Sequence, residues 1–469
     1  MNDHAIEYPA EPWKIKSVEP IRQTSRPYRE QAIRQAGWNP CLLRSEDVYI
    51  DLFTDSGTNA MSDRQWAALM TGDEAYAGAR SFYVLERAVR TYYGYEHVIP
   101  VHQGRGGENI VSRCLIRPGS HIPGNMFFPS TRAHQELNGA TFHDVVIDEA
   151  HDPSSDHPFK GDVDLAKLAA VIGEYGDAIP YVSLAATVNM AGGQPISMAN
   201  LAAVRELTGR HGIPIMFDAA RAVENAWFVK QREAGWGDRS IAEILLAMCS
   251  FTDGAVMSSK KDSFANIGGW IGLRDGELAE RARSLALLYE GLHTYGGMAG
   301  RDMEAVARGI EESVEESSIR ARVGQVEYLG HRLLAAGVPV VRPIGGHCVC
   351  IDALAVLPLL PREEFPGQTL AAALYVEGGI RGVERGGLSA GRDPVTGENR
   401  YPPMELVRLA IPRRVYTRAH LDMVADCVIR VHEERDRIKR GLRFVHEPSH
   451  LRFFQARFVP ADGDSIFGG

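Results

Sequence analysis

The run Gly254-Ala255-Val256-Met257-Ser258-Ser259-Lys260-Lys261-Asp262 reads as a buried strand that ends in small hydroxyl residues and delivers two lysines at its exit. A lysine held beside apolar neighbours and another cation can shed its proton and condense with an aldehyde as a Schiff base. Upstream, Ile213-Pro214-Ile215-Met216-Phe217 is a second apolar run, ending in Asp218 and followed closely by Arg221. A third strand candidate leads into His102-Gln103-Gly104-Arg105-Gly106-Gly107-Glu108-Asn109, whose glycines let backbone amides approach an anion at a helix N-terminus. That loop has neither Walker spacing nor G-x-G-x-x-G, so it does not point to a nucleotide. Taken singly, a glycine turn, a helix-capping aspartate and an exposed lysine pair are all common. Together, each at the end of an apolar strand, they supply an aldehyde anchor, a partner for a pyridinium nitrogen and a phosphate cradle. Those are the requirements of pyridoxal phosphate (PLP).

The elements that must hold these residues follow from composition and pattern. At 469 residues the chain exceeds the size of one core, so two domains are expected. With 45% apolar and 24% charged residues it reads as a soluble globular protein. A net charge of −9 without a long basic run argues against nucleic-acid binding. No basic and apolar leader opens the chain, and no apolar stretch reaches the ~20 residues that span a bilayer, so a cytoplasmic location without a membrane partner is expected. Six scattered cysteines read as core thiols; Cys348 and Cys350 share one side of a strand.

Residues 1–60 carry Pro9, Pro12, Pro20 and Pro27 and read as an arm that joins part of the small domain. Ser62-Asp63-Arg64-Gln65 has the form of a capping box opening a helix with Trp66, Leu69 and Met70. Strands are expected at His97–Val101, Val145–Ile147, Tyr181–Ala185, Ile213–Phe217, Gly254–Met257 and Gly268–Leu273. A helix from Ser197 presents Leu201, Val204 and Leu207 on one face and stops at Gly212. This alternation predicts a large domain over 61–310, an α/β unit with a mostly parallel sheet. Residues 311–469 change character. A long helix over Ile319–Ala336 and strands at Val338–Val341 and His347–Ile351 predict a smaller α+β domain.

Several longer motifs are recognisable. They include Thr54-Asp55-Ser56-Gly57-Thr58-Asn59-Ala60-Met61-Ser62, Gly72-Asp73-Glu74-Ala75-Tyr76-Ala77-Gly78, Gln103-Gly104-Arg105-Gly106 and Thr187-Val188-Asn189. Ser258-Ser259-Lys260-Lys261-Asp262, Tyr295-Gly296-Gly297-Met298-Ala299-Gly300-Arg301-Asp302-Met303-Glu304, Arg408-Leu409-Ala410-Ile411-Pro412-Arg413-Arg414 and Leu451-Arg452-Phe453-Phe454 belong to the same set. With them the chain resembles, essentially end to end, the β-eliminating lyase family.

That resemblance implies PLP-dependent fold type I, aspartate aminotransferase-like, and the following roles. Lys261 carries the Schiff base and removes the Cα proton, and Asp218 keeps the pyridine nitrogen protonated. Asn189 and Arg221 hold the cofactor's phenolic oxygen, Phe128 stacks on its ring, and Gln103, Gly104, Ser258 and Lys260 surround its phosphate. Arg408 pairs with the substrate α-carboxylate, a planar fork on a planar anion. Arg105 assists proton transfer and Tyr76 protonates the leaving ring. The resemblance also implies potassium bound by Glu74, Gly57 and Asn266, and a homotetramer whose active sites form between subunits.

The family has tyrosine-cleaving and tryptophan-cleaving branches. Arg385, in Val383-Glu384-Arg385-Gly386, stands where the tyrosine enzymes carry the arginine that contacts the phenol hydroxyl, and Phe453-Phe454 also resembles that branch. An arginine buried against indole would be left unpaired, a cost of several kcal/mol. The expectation is therefore β-elimination of L-tyrosine or a ring-substituted analogue, with Thr54, Pro129, Val383, Arg385, Arg408, Phe453 and Phe454 around the substrate. Three residues depart from the tyrosine pattern: Pro129 replaces a hydroxyl-bearing threonine, Val383 a methionine, and Ala220 a threonine near the cofactor. The rival readings are a tryptophan lyase, a β-lyase for another β-substituted amino acid, an aminotransferase or aldolase on the same fold, and a non-catalytic member of it.

Overall fold

Burial on both faces explains the inner strands of the central sheet of this computed structural model, which describes residue 8 and residues 10–468. Its strands are β1 (His97–Val101), β2 (His121–Gly124), β3 (Thr141–Asp144), β4 (Val182–Ala185), β5 (Ile215–Asp218), β6 (Gly254–Ser258) and β7 (Gly269–Leu273). They lie in the order β1-β7-β6-β5-β4-β2-β3, and β7 is antiparallel to both neighbours while the other pairs are parallel. Successive residues feed opposite cores. Val98, Phe217 and Trp270 enter one, and Ile99, Met216 and Ile271 enter the other. A strand buried on both faces has no reason to alternate with polar residues, which is why β1, β5, β6 and β7 read as continuous apolar runs, unlike the edge strand Thr141–Asp144.

The expected strand near 145–147 lies earlier, at Thr141–Asp144. Its partner β2 ends at Gly124, so the ladder stops there and Val145 and Val146 become core plugs, fully buried. Strand β2 itself, His121-Ile122-Pro123-Gly124, carries no strand pattern in the sequence because proline and glycine are poor strand formers. The helix Met198–Arg210 is capped by Ser197, whose hydroxyl accepts from the Asn200 amide. Ser62 and Gln65 form the capping box in both directions, yet Trp66 and Met70 on that helix are exposed.

A second sheet of β8 (Cys348–Asp352), β9 (Val383–Arg385) and β10 (Leu406–Ala410) is wholly antiparallel, with β10 central. The segment expected as a strand over Val338–Val341 makes only one bridge, Val340 to Ile351. The long helix begins slightly earlier than expected, at Glu316, and ends at Ala335. Around this sheet residues 326–466 share one core with Ile33, Trp38, Val48, Ile50 and Leu52 of the N-terminal arm. That arm contains an unexpected helix, Arg26–Gln35, because Pro27 sits where a first-turn proline costs no hydrogen bond and Ser25 caps it. Among the described residues no helix is long and apolar enough to cross a membrane.

Candidate active site

Strand ends in the parallel part of the sheet place the first groups. Asp218 closes β5, where its Oδ1 accepts from the Ala220 amide at 3.0 Å. It does not cap a helix, since the following one starts at Ala222. Lys261 follows β6 by three residues, half-buried. Burial, and then the Arg221 guanidinium, lower its pKa to about 8. Asp218, Asp55 and Glu108 oppose that shift, which brings all of them into the field of the same amine.

The phosphate cradle is also assembled. Helix Gly104–Leu115 starts immediately after Gln103, whose Oε1 accepts from Lys260 Nζ at 3.1 Å. A Cβ on Gly104 would lie 2.8 Å from the Ser258 Cβ, so only glycine lets these two backbones approach. Burial, then Arg105, lower the Lys260 pKa. Among the described residues the buried Ser259 Oγ has no partner. This donor, the helix N-terminus and a depressed lysine fit a phosphorylated aldehyde.

On the small sheet, the register decides what reaches the same space. Val383 lies opposite Arg408, and Arg408 opposite Cys350. Directly paired and alternate residues share a face, so Arg385, Arg408, Cys348 and Cys350 project together. Arg408 donates to Asn189 Oδ1 at 2.7 Å and to the Phe53 carbonyl at 3.0 Å, while its Nε is buried without a partner. Since a guanidinium only donates, the Asn189 oxygen faces Arg408 and its amide nitrogen faces His347 Nε2, 3.2 Å away. Arg385 is buried, donates from Nη1 to the Glu384 carbonyl and to Ser389 Oγ, and has an orphan Nε. Burial and Arg408 lower its pKa to about 9. Among the described residues neither arginine has a carboxylate at ion-pair distance.

Aromatic rings line the approach. Arg385 lies over Phe453, 5.1 Å from its centroid. Phe453 and Phe454 are 4.0 Å apart, and Phe53 and Arg105 flank Phe454. Thr54 accepts from the Ser56 amide. Phe128 directly precedes helix Pro129–Leu137, and Pro129, buried, occupies its first position, where a missing N–H is harmless.

Other expected residues are engaged within the chain or face solvent. Arg221 is bound through Nε and Nη2 to both oxygens of Asp55, at 3.0 and 2.6 Å. Tyr76 is 71% exposed, with its ring 5.2 Å from that of Tyr295. Glu74 takes the Gly300 and Arg301 amides and Arg301 Nε, whereas Asn266 Nδ2 donates to the Gly57 carbonyl, so Glu74 and the Gly57–Asn266 pair have separate partners.

Several buried charged groups have no role legible in the sequence. Arg413 contacts Asp55, Glu224 and Asp262, and Arg322 contacts Glu224. Glu108 accepts from Thr131, and its Oε2 is an orphan. The only sequence signals were Asp262 standing next to Lys261 and the Arg413-Arg414 pair at a strand exit.

A seven-stranded sheet with one reversed strand, a lysine and an aspartate at adjacent strand ends and a phosphate cradle define a PLP enzyme of fold type I. Solved structures agree on the fold. An aromatic aminotransferase from Pyrococcus horikoshii matches with a TM-score of 0.60 at 14% identity, covering 83% of this chain and 97% of that one. A serine palmitoyltransferase from S. paucimobilis, with a bound PLP–myriocin aldimine, matches with a TM-score of 0.57 at 14% identity, over 82% and 87%. The chain belongs to the β-eliminating lyase family, whose model matches residues 51–427. It is 63% identical over 450 residues to a tyrosine phenol-lyase of Nostoc punctiforme, covering 96% of both. To a tyrosine phenol-lyase of Symbiobacterium sp. it is 62% identical over 452 residues, covering 96% of this chain and 98% of that one.

Proposed function

We propose that the chain cleaves L-tyrosine, or a ring-substituted analogue, to a phenol, pyruvate and ammonia, and can run in reverse. The observation that carries this reading is Arg385, buried, without a carboxylate partner, over the Phe453 ring. Bound PLP supplies an electron sink for the carbanion left when the α-proton departs. Lys261, its pKa lowered to about 8, is the base at Cα. Arg408, its Nε unpartnered and one Nη held by Asn189, pairs with the α-carboxylate. Arg385 takes the phenol oxygen at the opposite end. Asp218 serves the ring nitrogen, Asn189 and Arg221 the phenolic oxygen, Phe128 the ring face, and Gln103, Gly104, Ser258 and Lys260 the phosphate.

Tyr76, exposed in the single chain, fits a proton donor that reaches the site of a second copy, with Arg105 assisting. Glu74, Gly57 and Asn266 fit a potassium site completed the same way, because they keep separate partners here. On the family resemblance we read the assembly as a cytoplasmic homotetramer, with a large domain over 61–310, a small one over 311–469 and the arm over 1–60 joining the small one. The test is pyruvate release by the purified protein with PLP and potassium. L-tyrosine turning over well ahead of L-tryptophan is expected. Turnover of S-alkyl-cysteines alone would leave the elimination chemistry standing and remove the tyrosine assignment, with Pro129 the first residue to revert to threonine.

A further inference from the structure

Six charged side chains meet in a buried cluster beneath the site. Arg221, Arg322 and Arg413 face Asp55, Glu224 and Asp262, each 5% exposed or less. Burial lifts the Asp262 pKa to about 7 against the pull of Arg413, so above that pH three positive and three negative groups make the cluster neutral. Arg413 alone touches all three carboxylates. Its Nη1 reaches Asp55 Oδ2 at 2.9 Å, and its Nη2 reaches Glu224 Oε1 at 2.6 Å and Asp262 Oδ1 at 2.8 Å.

The contacts run to both halves of the site. Asp55 spends its carboxylate on Arg221 as well. Asp262 is covalently next to Lys261, and its second oxygen accepts from the Val223 amide at 2.8 Å. The Arg413 backbone amide donates to Asn59 Oδ1, and Asn59 Nδ2 donates to the Lys260 carbonyl at 2.7 Å. Arg413 itself lies five residues beyond Arg408 on the chain leaving β10.

Resting on the functional reading above, we infer that Arg413 is a positioning residue for the lyase. Through Asp55 it orients Arg221, and through Asp262 and Asn59 it fixes the Lys260–Lys261 backbone, so that Lys261 and Arg408 share one frame. The charged groups facing Lys261 are Arg221, Asp218, Asp55 and Glu108. Loss of Arg413 makes the cluster net negative and frees Asp55 from one cation, which favours the protonated form of the Lys261 nitrogen, free or joined to PLP.

The test uses reconstituted protein and reads two things besides turnover: folding by circular dichroism, and the midpoint of the pH-dependent absorbance of bound PLP. Arg413→Met is expected to raise that midpoint by about one pH unit and to lower kcat far more than it changes KM. Arg413→Lys, which keeps the charge but not the three contacts, is expected to leave the midpoint near wild type and still lower kcat. Asp262→Asn removes the charge that Asp262 carries above its pKa of about 7, and is expected to lower the midpoint. The double variant Arg413→Met/Asp262→Asn is expected to restore it.

Folded variants with wild-type midpoints and kcat overturn the inference, as does a double variant whose midpoint stays high. If Arg413→Met does not fold, Asp262→Asn decides: an unchanged or raised midpoint overturns it. A wild-type protein that takes up no PLP overturns the functional reading and the inference together, whereas a normal wild-type titration with unshifted variants overturns the inference alone.

Discussion

Buried arginines occur in two places, and their surroundings are opposite. In the charge cluster, Arg221, Arg322 and Arg413 are matched by Asp55, Glu224 and Asp262. Burial alone would push the Asp55 carboxyl up, but Arg221 and Arg413 bring it well below its ordinary value. On the small sheet, Arg385 and Arg408 are equally buried, and among the described residues they bond only to neutral oxygens and keep unpartnered Nε groups. Burial lowers both pKa values. A paired buried guanidinium completes the fold. An unpaired one is a destabilising charge that an anionic or polar ligand relieves.

That contrast can be broken in four places. Arg408→Met should lower kcat/KM for any amino-acid substrate by on the order of a thousandfold, about 4 kcal/mol, by steady-state pyruvate release. The same variant should keep or raise the Tm of the apo chain, since it deletes a buried charge without a counterion. Arg322→Met should do the reverse to stability, costing about 3 kcal/mol in denaturant unfolding because it strands Glu224 beside fewer cations. A stability gain there would erase the distinction between the two regions.

Arg385→Met should be selective, cutting turnover of tyrosine by about 30-fold, roughly 2 kcal/mol, while S-alkyl-cysteines change little. Equal losses on both substrates would assign Arg385 to the frame instead of the leaving group. The smallest effect concerns Lys261. Folding lowers this amine from 10.5 to about 8, so the protein holds it neutral where the unfolded chain does not. The group therefore adds stability to the apo chain as pH rises from about 8 to 10.5. The rate of PLP uptake should climb about tenfold per pH unit below 8 and level off above it, by stopped-flow absorbance.

Much of the reacting half of the site was legible, because Lys261, Asp218 and Gln103 each terminate an apolar run that can only be an interior strand. The antiparallel strand β9 and the proline-containing β2 were not. One is three residues long and the other carries residues that usually interrupt sheets. The charge cluster was invisible for a different reason. Asp55 and Arg413 are 358 residues apart, and each stands in a segment where a charged residue ordinarily points to water.

What the sequence determined by itself was local and chemical. It set the burial of strands through unbroken apolar runs, the caps at Ser62 and Ser197, and the residue types able to hold an aldehyde, a ring nitrogen and a phosphate. Only the tertiary structure decided which arginines are neutralised and which wait for a ligand. Ion pairing depends on separation through space in a medium of low polarisability, and distance along the chain says nothing about it.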